Sequence, residues 1–289
     1  MIWLVGCKGM LGRHLADKLE IAGISFTASD IEVDITDKKA VGSFCADKNF
    51  SWILICSAYT AVDLAEDEEE KAFAVNALGV KNIAEISRNS GAKIINFSTD
   101  YVFSGDNKNG FSENDKTGPT GVYGASKLEG EKLLTSLYDK YFIFRISWLY
   151  GPHGKNFVHT MQNLFGQKDE LNVVDDQFGS PTYTGELADF IIDLIRSDSD
   201  KYGIYHFSGE GMTSWYEFAV EIYRLSIKYG ITSGDVRINP VDSSRYPAKA
   251  KRPAFSYMIK NKLFNTFGYR PKDWKAALDE YIGGMKTGS

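Results

Sequence analysis

Tyr123 and Lys127 stand four residues apart in the stretch Tyr123-Gly124-Ala125-Ser126-Lys127. Leu128, Leu133, Leu134 and Leu137 continue the segment at helical spacing, so a helix over 122–137 would project both side chains from one face, about one turn apart. A phenol titrates near pH ~10, too high for easy proton exchange at neutrality. An ammonium within a few ångströms favours the phenolate and draws its pKa toward the working range. Thr99, just after the apolar run Ile94-Ile95-Asn96-Phe97, can aim a hydroxyl at the same substrate oxygen. The three side chains together would form a proton-transfer site for a carbonyl or an alcohol. Taken alone, the spacing also describes a surface tyrosine beside a solvated lysine, so the reading depends on the elements around it.

The amino terminus supplies a second motif with its own mechanism. Ile2-Trp3-Leu4-Val5 reads as a short buried strand, and Gly6-Cys7-Lys8-Gly9-Met10-Leu11-Gly12 as a tight turn opening a helix through Glu20. This GxxGxxG arrangement is one spacing variant of the dinucleotide fingerprint. Its glycines let the backbone approach a pyrophosphate, and the free amides of the helix start hold the charge. Gly6, Lys8, Gly9, Met10, Leu11 and Gly12 are therefore candidate cofactor contacts. A second strand over 24–28 ends at Ser29-Asp30. An acid there would hydrogen-bond an adenosine ribose and repel a 2′-phosphate, which favours NAD. Asp30 and Asp34, the latter followed by Ile35, can each take that place or stand as loop carboxylates in water, so NADH against NADPH stays open.

Further along, a helix is expected over 36–47 and a strand over 52–56, followed by Ser57-Ala58-Tyr59-Thr60-Ala61. Small residues after a parallel strand suit a loop lying against a flat cofactor, which makes Ser57, Ala58 and Tyr59 candidates. The run Glu66-Asp67-Glu68-Glu69-Glu70 reads as a solvated helix face or a favourable helix start rather than a metal site. Helical spacing over 71–90 ends at Gly91. The strand 93–97, the Tyr123 helix and a strand over 141–147 complete the third alternation. Such alternation indicates an α/β fold, a Rossmann-type doubly wound parallel sheet. Ligands bind beyond the carboxyl ends of strands in such sheets, and Gly6, Ser57 and Thr99 all follow strands. The two motifs point into one crevice.

The 289 residues leave room for one large domain or two moderate ones with a proper core. A net charge of −5 without a basic stretch or basic amphipathic helix argues against nucleic-acid and membrane-surface roles. The apolar run at 2–5 passes straight into Gly6, so a cleavable signal is not expected, and no apolar stretch approaches the ~20 residues of a membrane span. Cys7, Cys45 and Cys56 are odd in number and lack metal or redox spacing, as reduced thiols of a cytoplasmic protein would. Cys7 and Cys56 fit either small buried side chains or neighbours of a cofactor. His14, His153, His159 and His206 have no metal spacing, and no metal site is expected.

The glycine turn, Ser98-Thr99-Asp100-Tyr101-Val102-Phe103, Tyr123-Gly124-Ala125-Ser126-Lys127 and Arg145-Ile146-Ser147-Trp148-Leu149-Tyr150-Gly151 follow one another in the order seen in the extended short-chain dehydrogenase/reductases. Within them the chain resembles the dTDP-4-dehydrorhamnose reductases, which carry STDYVF, YGxxK, FRxSWxY and a later DQFGxPT. Asp176-Gln177-Phe178-Gly179-Ser180-Pro181-Thr182 supplies the last. The similarity continues through Ile204-Tyr205-His206-Phe207-Ser208, Thr213-Ser214-Trp215-Tyr216 and Ala250-Lys251-Arg252-Pro253, so it covers nearly the whole chain. It implies a dinucleotide-binding domain over 1–147, with returns near 185–207, and a smaller interleaved sugar-nucleotide domain over 148–289, built mostly from about Trp215 onward. The last residues, 286–289, read as a frayed end.

By this resemblance the reaction is reduction of the 4-keto group of dTDP-4-dehydro-6-deoxy-L-mannose to dTDP-L-rhamnose, with hydride from NADPH or NADH. Tyr123 would protonate the developing alkoxide. Lys127 would favour its phenolate form and hold the nicotinamide ribose, against which Tyr123 also lies. Thr99 would bond the same oxygen. Asp100 would contact the sugar or tune the site, and Trp148 would pack either on the sugar or in a core. Arg252, with Lys249 and Lys251, would meet the diphosphate or form a solvated cluster. The related dehydratases carry Thr-Asp-Glu where this chain has Tyr101, so dehydration lacks its base. Some relatives have a glutamate at the place of His14 that joins a magnesium site between two subunits; His14 removes that ligand while leaving a homodimer open. Two other readings share the motifs: a reductase or epimerase of another nucleotide-activated 4-keto sugar, and a non-catalytic regulatory subunit like the methionine adenosyltransferase beta subunit.

Overall fold

The computed structural model describes residues 1–285, so the end expected to fray at 286–289 lies outside the described residues. Strand β1 (Ile2–Val5) is buried on both faces. Its side chains alternate as a strand requires: Ile2 and Leu4 enter one apolar core, Trp3 and Val5 the other. Helix α1 (Met10–Ile21) follows the glycine turn, then β2 (Phe26–Ser29), α2 (Lys38–Cys45) and β3 (Trp52–Ile55). In β3, Trp52 and Leu54 again face the first core, Ile53 and Ile55 the second. Two short helices, α3 (Val62–Ala65) and α4 (Glu69–Phe73), lead through a π-helical segment, Ala74–Gly79, into α5 (Val80–Ser90). Strand β4 (Lys93–Thr99), helix α6 (Val122–Leu137) and strand β5 (Tyr141–Ile146) carry the proton-transfer motif.

One helix over 71–90 was expected, and the structure interrupts it with the π segment. The reason lies in what packs there. Buried Asn76 turns its amide into the protein, donating to the Tyr59 carbonyl at 3.0 Å and to Ser126 Oγ at 3.0 Å. A Cβ on Gly130 of α6 would stand 2.1 Å from the Asn76 carbonyl oxygen, so the two backbones touch. The widened turn lets the segment meet both the loop after β3 and helix α6. Gly91 then ends α5 with φ +73°, the left-handed conformation that favours glycine.

Beyond β5 come β6 (Leu149–Tyr150), α7 (Phe157–Phe165), β7 (Glu170–Val174), β8 (Phe178–Gly179), β9 (Thr182–Tyr183) and α8 (Thr184–Arg196). Strand β10 (Gly203–His206), β11 (Thr213–Ser214), α9 (Trp215–Lys228), β12 (Arg237–Val241), α10 (Asn261–Phe267) and α11 (Trp274–Met285) complete the described chain. Six strands form one all-parallel sheet in the order β10-β5-β4-β3-β1-β2. Helices cover both faces, with α8 packed beside α1 on one of them. The doubly wound parallel fold read from the sequence is thus the fold observed. Strand β1 lies between β2 and β3, so the chain reverses its direction of travel across the sheet there and opens a crevice at the carboxyl ends. A third core, with Phe218, Ile222, Trp274 and Leu278 from α9 and α11, packs under the parallel pair β7–β12.

Candidate active site

The crevice is built around Gly6. Its φ of +77° suits a residue without a Cβ, and an added Cβ would stand 2.4 Å from the Ser57 amide nitrogen. A Cβ on Gly12 would stand 2.2 Å from the Gly6 carbonyl oxygen, so α1 presses directly on the turn. Gly9, by contrast, is exposed at the helix start. A cleft of about 610 Å³ opens here, lined by Gly6, Lys8, Gly9, Asp30, Asp34 and Ile35, with Ser57 and Ala58 on the opposite wall. The Asp30 carboxylate accepts from the Lys8 amide at 2.8 Å, and the Lys8 ammonium lies 3.5 Å from Glu32. Asp34 accepts from the Thr36 amide and hydroxyl.

A dinucleotide fits these residues. The glycines leave backbone exposed at a helix N-terminus, the acids stand at the end of β2, and the buried Ser57 hydroxyl has no partner among the described residues. Gly6, Lys8, Gly9, Asp30, Asp34, Ile35, Ser57 and Ala58 are brought together. Met10 and Leu11 line the adjoining cleft instead, and Gly12 acts through its contact with Gly6. Tyr59 lines neither space: its hydroxyl donates to Glu68 at 2.8 Å and its amide to Asn76 at 2.9 Å. Tyr59, expected among the cofactor contacts, is tied instead to buried Asn76 of the π segment and to Glu68.

The second cleft, about 490 Å³, shares Gly9, Cys56, Ser57 and Ala58 with the first. It is lined by Thr99, Asp100, Tyr123, Lys127, Trp148 and Arg252. Helix α6 places Tyr123 and Lys127 one turn apart, while Thr99 ends β4 and Asp100 opens the short 3₁₀ turn Asp100–Val102 that follows. Lys127 is buried, and its ammonium donates to the Phe97 carbonyl at 2.6 Å. Burial lowers its pKa to about 8, while the Glu131 carboxylate one turn on acts to raise it. Tyr123 is partly exposed as a residue, yet its phenol is desolvated, and burial raises its pKa well above the ordinary value. The bond with Thr99 acts the other way, and Asp100 and Tyr101 add to the rise.

The expectation that Lys127 draws the phenol toward neutrality is not met in this arrangement. Desolvation dominates the shift of the phenol, Lys127 is not among the groups acting on it, and its ammonium is turned toward the Phe97 carbonyl. The arrangement favours the neutral phenol, the form that donates a proton.

Asp100 is buried, and its pKa is pushed up to about 6 by desolvation, against the opposing bonds of Ser256, Thr99 and two backbone amides. Thr99 Oγ donates to Asp100 Oδ1 at 3.0 Å and accepts from the Tyr101 amide at 3.2 Å. Trp148 has a φ of +46°, a strained value for a bulky residue. Its indole stacks on Trp215 with centroids 3.6 Å apart, packs against the third core and also lines the cleft. Arg252 donates to Asp63 Oδ2 at 2.9 Å and to the Tyr101 hydroxyl at 3.1 Å. Lys249 pairs with Asp67 at the surface, and Lys251 is exposed. His14 is buried with Nδ1 2.8 Å from Thr184, and burial lowers its pKa to about 4. Among the described residues no three His, Cys, Asp or Glu side chains gather as metal ligands.

Sequence reasoning passed over several residues. Glu131 lies four residues beyond Lys127, a spacing that could have marked it. It accepts from Arg145 at 3.0 and 2.7 Å and from Ser98. Glu66, read as part of a solvated run, accepts from the Val122 amide at 2.9 Å and so caps α6 just before Tyr123. Trp215 lines the cleft and Asp63 holds Arg252 from distant segments, and no local signal marks either role.

A dinucleotide crevice that opens onto Tyr123, Lys127 and Thr99 at the carboxyl edge of one parallel sheet is the arrangement of an extended short-chain dehydrogenase/reductase. The model of the RmlD substrate binding domain matches residues 1–287, and the chain belongs to that family. It is 40% identical over 285 residues to a dTDP-4-dehydrorhamnose reductase of Aggregatibacter actinomycetemcomitans, covering 95% of this chain and 96% of the relative. The crystal structure of a dTDP-4-dehydrorhamnose reductase from Clostridium acetobutylicum superposes with a TM-score of 0.93 at 40% identity, over 99% of both chains. That of the Bacillus anthracis reductase in complex with NADP gives 0.92 at 37% identity, over 97% of this chain and 98% of that one.

Proposed function

We propose that this chain catalyses the NAD(P)H-dependent reduction of the 4-keto group of dTDP-4-dehydro-6-deoxy-L-mannose, giving dTDP-L-rhamnose. The observation that carries the reading is the meeting of Thr99, Tyr123 and Lys127 at the mouth of a glycine-lined cleft. The similarity to dTDP-4-dehydrorhamnose reductases over nearly the full length of this chain supports it.

When bound, the nicotinamide supplies hydride. The chain's own residues do the rest. Tyr123, held neutral by burial, gives its proton to the oxygen that gains charge, and Thr99 steadies that oxygen through its hydroxyl. Lys127 adds positive charge beneath the site and meets the nicotinamide ribose. The dinucleotide lies along Gly6, Lys8, Gly9, Met10 and Leu11, with Asp30, Asp34 and Ile35 on one side and Ser57 and Ala58 on the other. Asp100, Trp148 and Arg252 meet the sugar nucleotide. Residues 1–147, with the return at 185–207, form the cofactor domain, and 148–289 contribute most of the sugar-nucleotide side.

No helix among the described residues is long and apolar enough to cross a membrane. A cytoplasmic location and a homodimer belong to the same reading, the second being open to light scattering. The decisive test is loss of reduced-nicotinamide absorbance with NADH and with NADPH, in the presence of the enzymatically generated 4-keto sugar nucleotide. Substrate-dependent oxidation is expected. A protein that binds dinucleotide yet oxidises neither cofactor would overturn the reading.

A further inference from the structure

The far wall of the cofactor cleft is the turn that follows β2, the place where an acid meets the adenosine ribose in dinucleotide folds. The turn closes on itself, the Val33 amide donating to the Asp30 carbonyl at 3.0 Å. Both carboxylate oxygens of Asp30 are set by backbone: Oδ2 accepts from the Lys8 amide at 2.8 Å and Oδ1 from the Ile31 amide at 3.0 Å. Asp30 thereby ties the turn to the glycine loop. Glu32 adds a second tie between the same two segments. Its Oε1 accepts from the Asp30 amide at 2.7 Å, and its Oε2 lies 3.5 Å from the Lys8 ammonium.

The charges here are unequal. Lys8 is the one cation among the described residues that line this cleft, and Asp30 and Asp34 line it as well. Arg13, the next cation along the chain, donates from Nε to the Lys8 carbonyl at 3.0 Å and is not part of the lining. A single ammonium therefore stands against the carboxylates of Asp30, Glu32 and Asp34, and it is committed to Glu32. NADH and NADPH differ only in the 2′-phosphate on the adenosine ribose, a group that carries roughly −1.5 to −2 charge at pH 7.

We infer that the Lys8–Glu32 pair selects NADH over NADPH, with Glu32 as the specificity-determining residue. The inference rests on the dinucleotide reading of this cleft and adds to it which of the two cofactors is taken. A ribose 2′-hydroxyl needs an acceptor, and the Asp30 carboxylate, fixed by two amides, still has lone pairs to offer. A 2′-phosphate needs a cation and meets carboxylates instead. Lys8 can serve it only by leaving Glu32, which then stands uncompensated beside the phosphate. The Lys8 and Glu32 side chains are 60% and 54% exposed, so the pair holds modestly and the selection is graded rather than absolute.

Fluorescence titration with NADH and with NADPH, in the absence of any sugar nucleotide, tests this. The wild type is expected to bind NADH at least about tenfold more tightly at low ionic strength, with the gap narrowing as salt is added. Glu32→Gln keeps an acceptor for the Asp30 amide and releases Lys8, so NADPH should bind severalfold more tightly while NADH changes less than about twofold. Adding Lys8→Met to Glu32→Gln should cancel most of that gain, because the freed ammonium is its source. A wild type that binds NADPH as tightly as NADH overturns the selection. A Glu32→Gln variant with the wild-type ratio, or a gain that survives in full without Lys8, overturns the pair as its cause. None of these titrations involves turnover. A wild type that keeps the preference yet reduces no sugar nucleotide counts against the reductase reading alone, whereas one that binds neither dinucleotide overturns the cofactor reading and this inference with it.

Discussion

At the scale of single residues, burial decides the chemistry more than charge does. The four-residue spacing of Tyr123 and Lys127 is legible in the sequence because helical geometry fixes it. The direction of their pKa values is not legible, because it depends on how much protein closes over each group. Tyr123→Phe keeps the ring and removes the proton, so turnover should fall on the order of 10²-fold or more while dinucleotide affinity is retained. Steady-state kinetics alongside a cofactor-fluorescence titration would check this, and undiminished turnover would remove Tyr123 from its role. Asp100 makes a separate prediction for stability. Its folded pKa, about 6, lies above the ordinary 3.8, so the folded state holds the extra proton and stability is lost as pH rises through that range. Asparagine resembles the protonated acid. The stability of Asp100→Asn relative to wild type should therefore increase between about pH 4 and pH 8, by roughly 2–3 kcal/mol, in urea titrations.

At the scale of elements, the catalytic side chains are only as well placed as β4, α6 and β5. The strands were legible as apolar runs bounded by glycine and polar residues, and the helices by apolar spacing. The π segment was not, since it follows from Asn76 and Gly130 meeting across elements. The bond that locks the three elements is equally hidden. Arg145 on β5 and Glu131 on α6 form an ion pair with side chains 4% and 3% exposed, and Ser98 on β4 donates to the same carboxylate. Truncating one partner of such a pair leaves the other charged, buried and unpaired. Glu131→Gln should therefore cost about 3 kcal/mol or more in denaturant unfolding, whereas Lys249→Ala, which breaks an exposed pair, should cost less than about 1 kcal/mol. Similar losses in the two variants would show that the three elements are held together by packing alone.

At the scale of the whole molecule, the cleft is closed by segments far apart in the chain. The amino-terminal half follows the regular alternation that sequence periodicity reveals. The later half pairs short strands over long separations, β7 with β12 and β8 with β11, so its contacts carry little local signal. Arg252 shows the consequence. The sequence marks it as a phosphate-binding candidate, but only the fold shows that its guanidinium joins Asp63 on α3 to Tyr101 after β4. Its planar fork makes the two bonds from two separate nitrogens, a reach that the single nitrogen of a lysine does not reproduce. The bonds tie the carboxyl-terminal segment to α3 and to the turn after β4 and leave the guanidinium lining the cleft. On the proposed contact of Arg252 with the sugar nucleotide, Arg252→Ala should raise KM on the order of tenfold or more with a smaller change in kcat. Arg252→Lys keeps the charge but should recover little of this, because the bridge to Asp63 and Tyr101 is lost. Measuring KM, kcat and melting temperature for both variants separates binding from folding: a lysine variant with wild-type KM would show that charge alone suffices and that the bridge has no part in substrate binding.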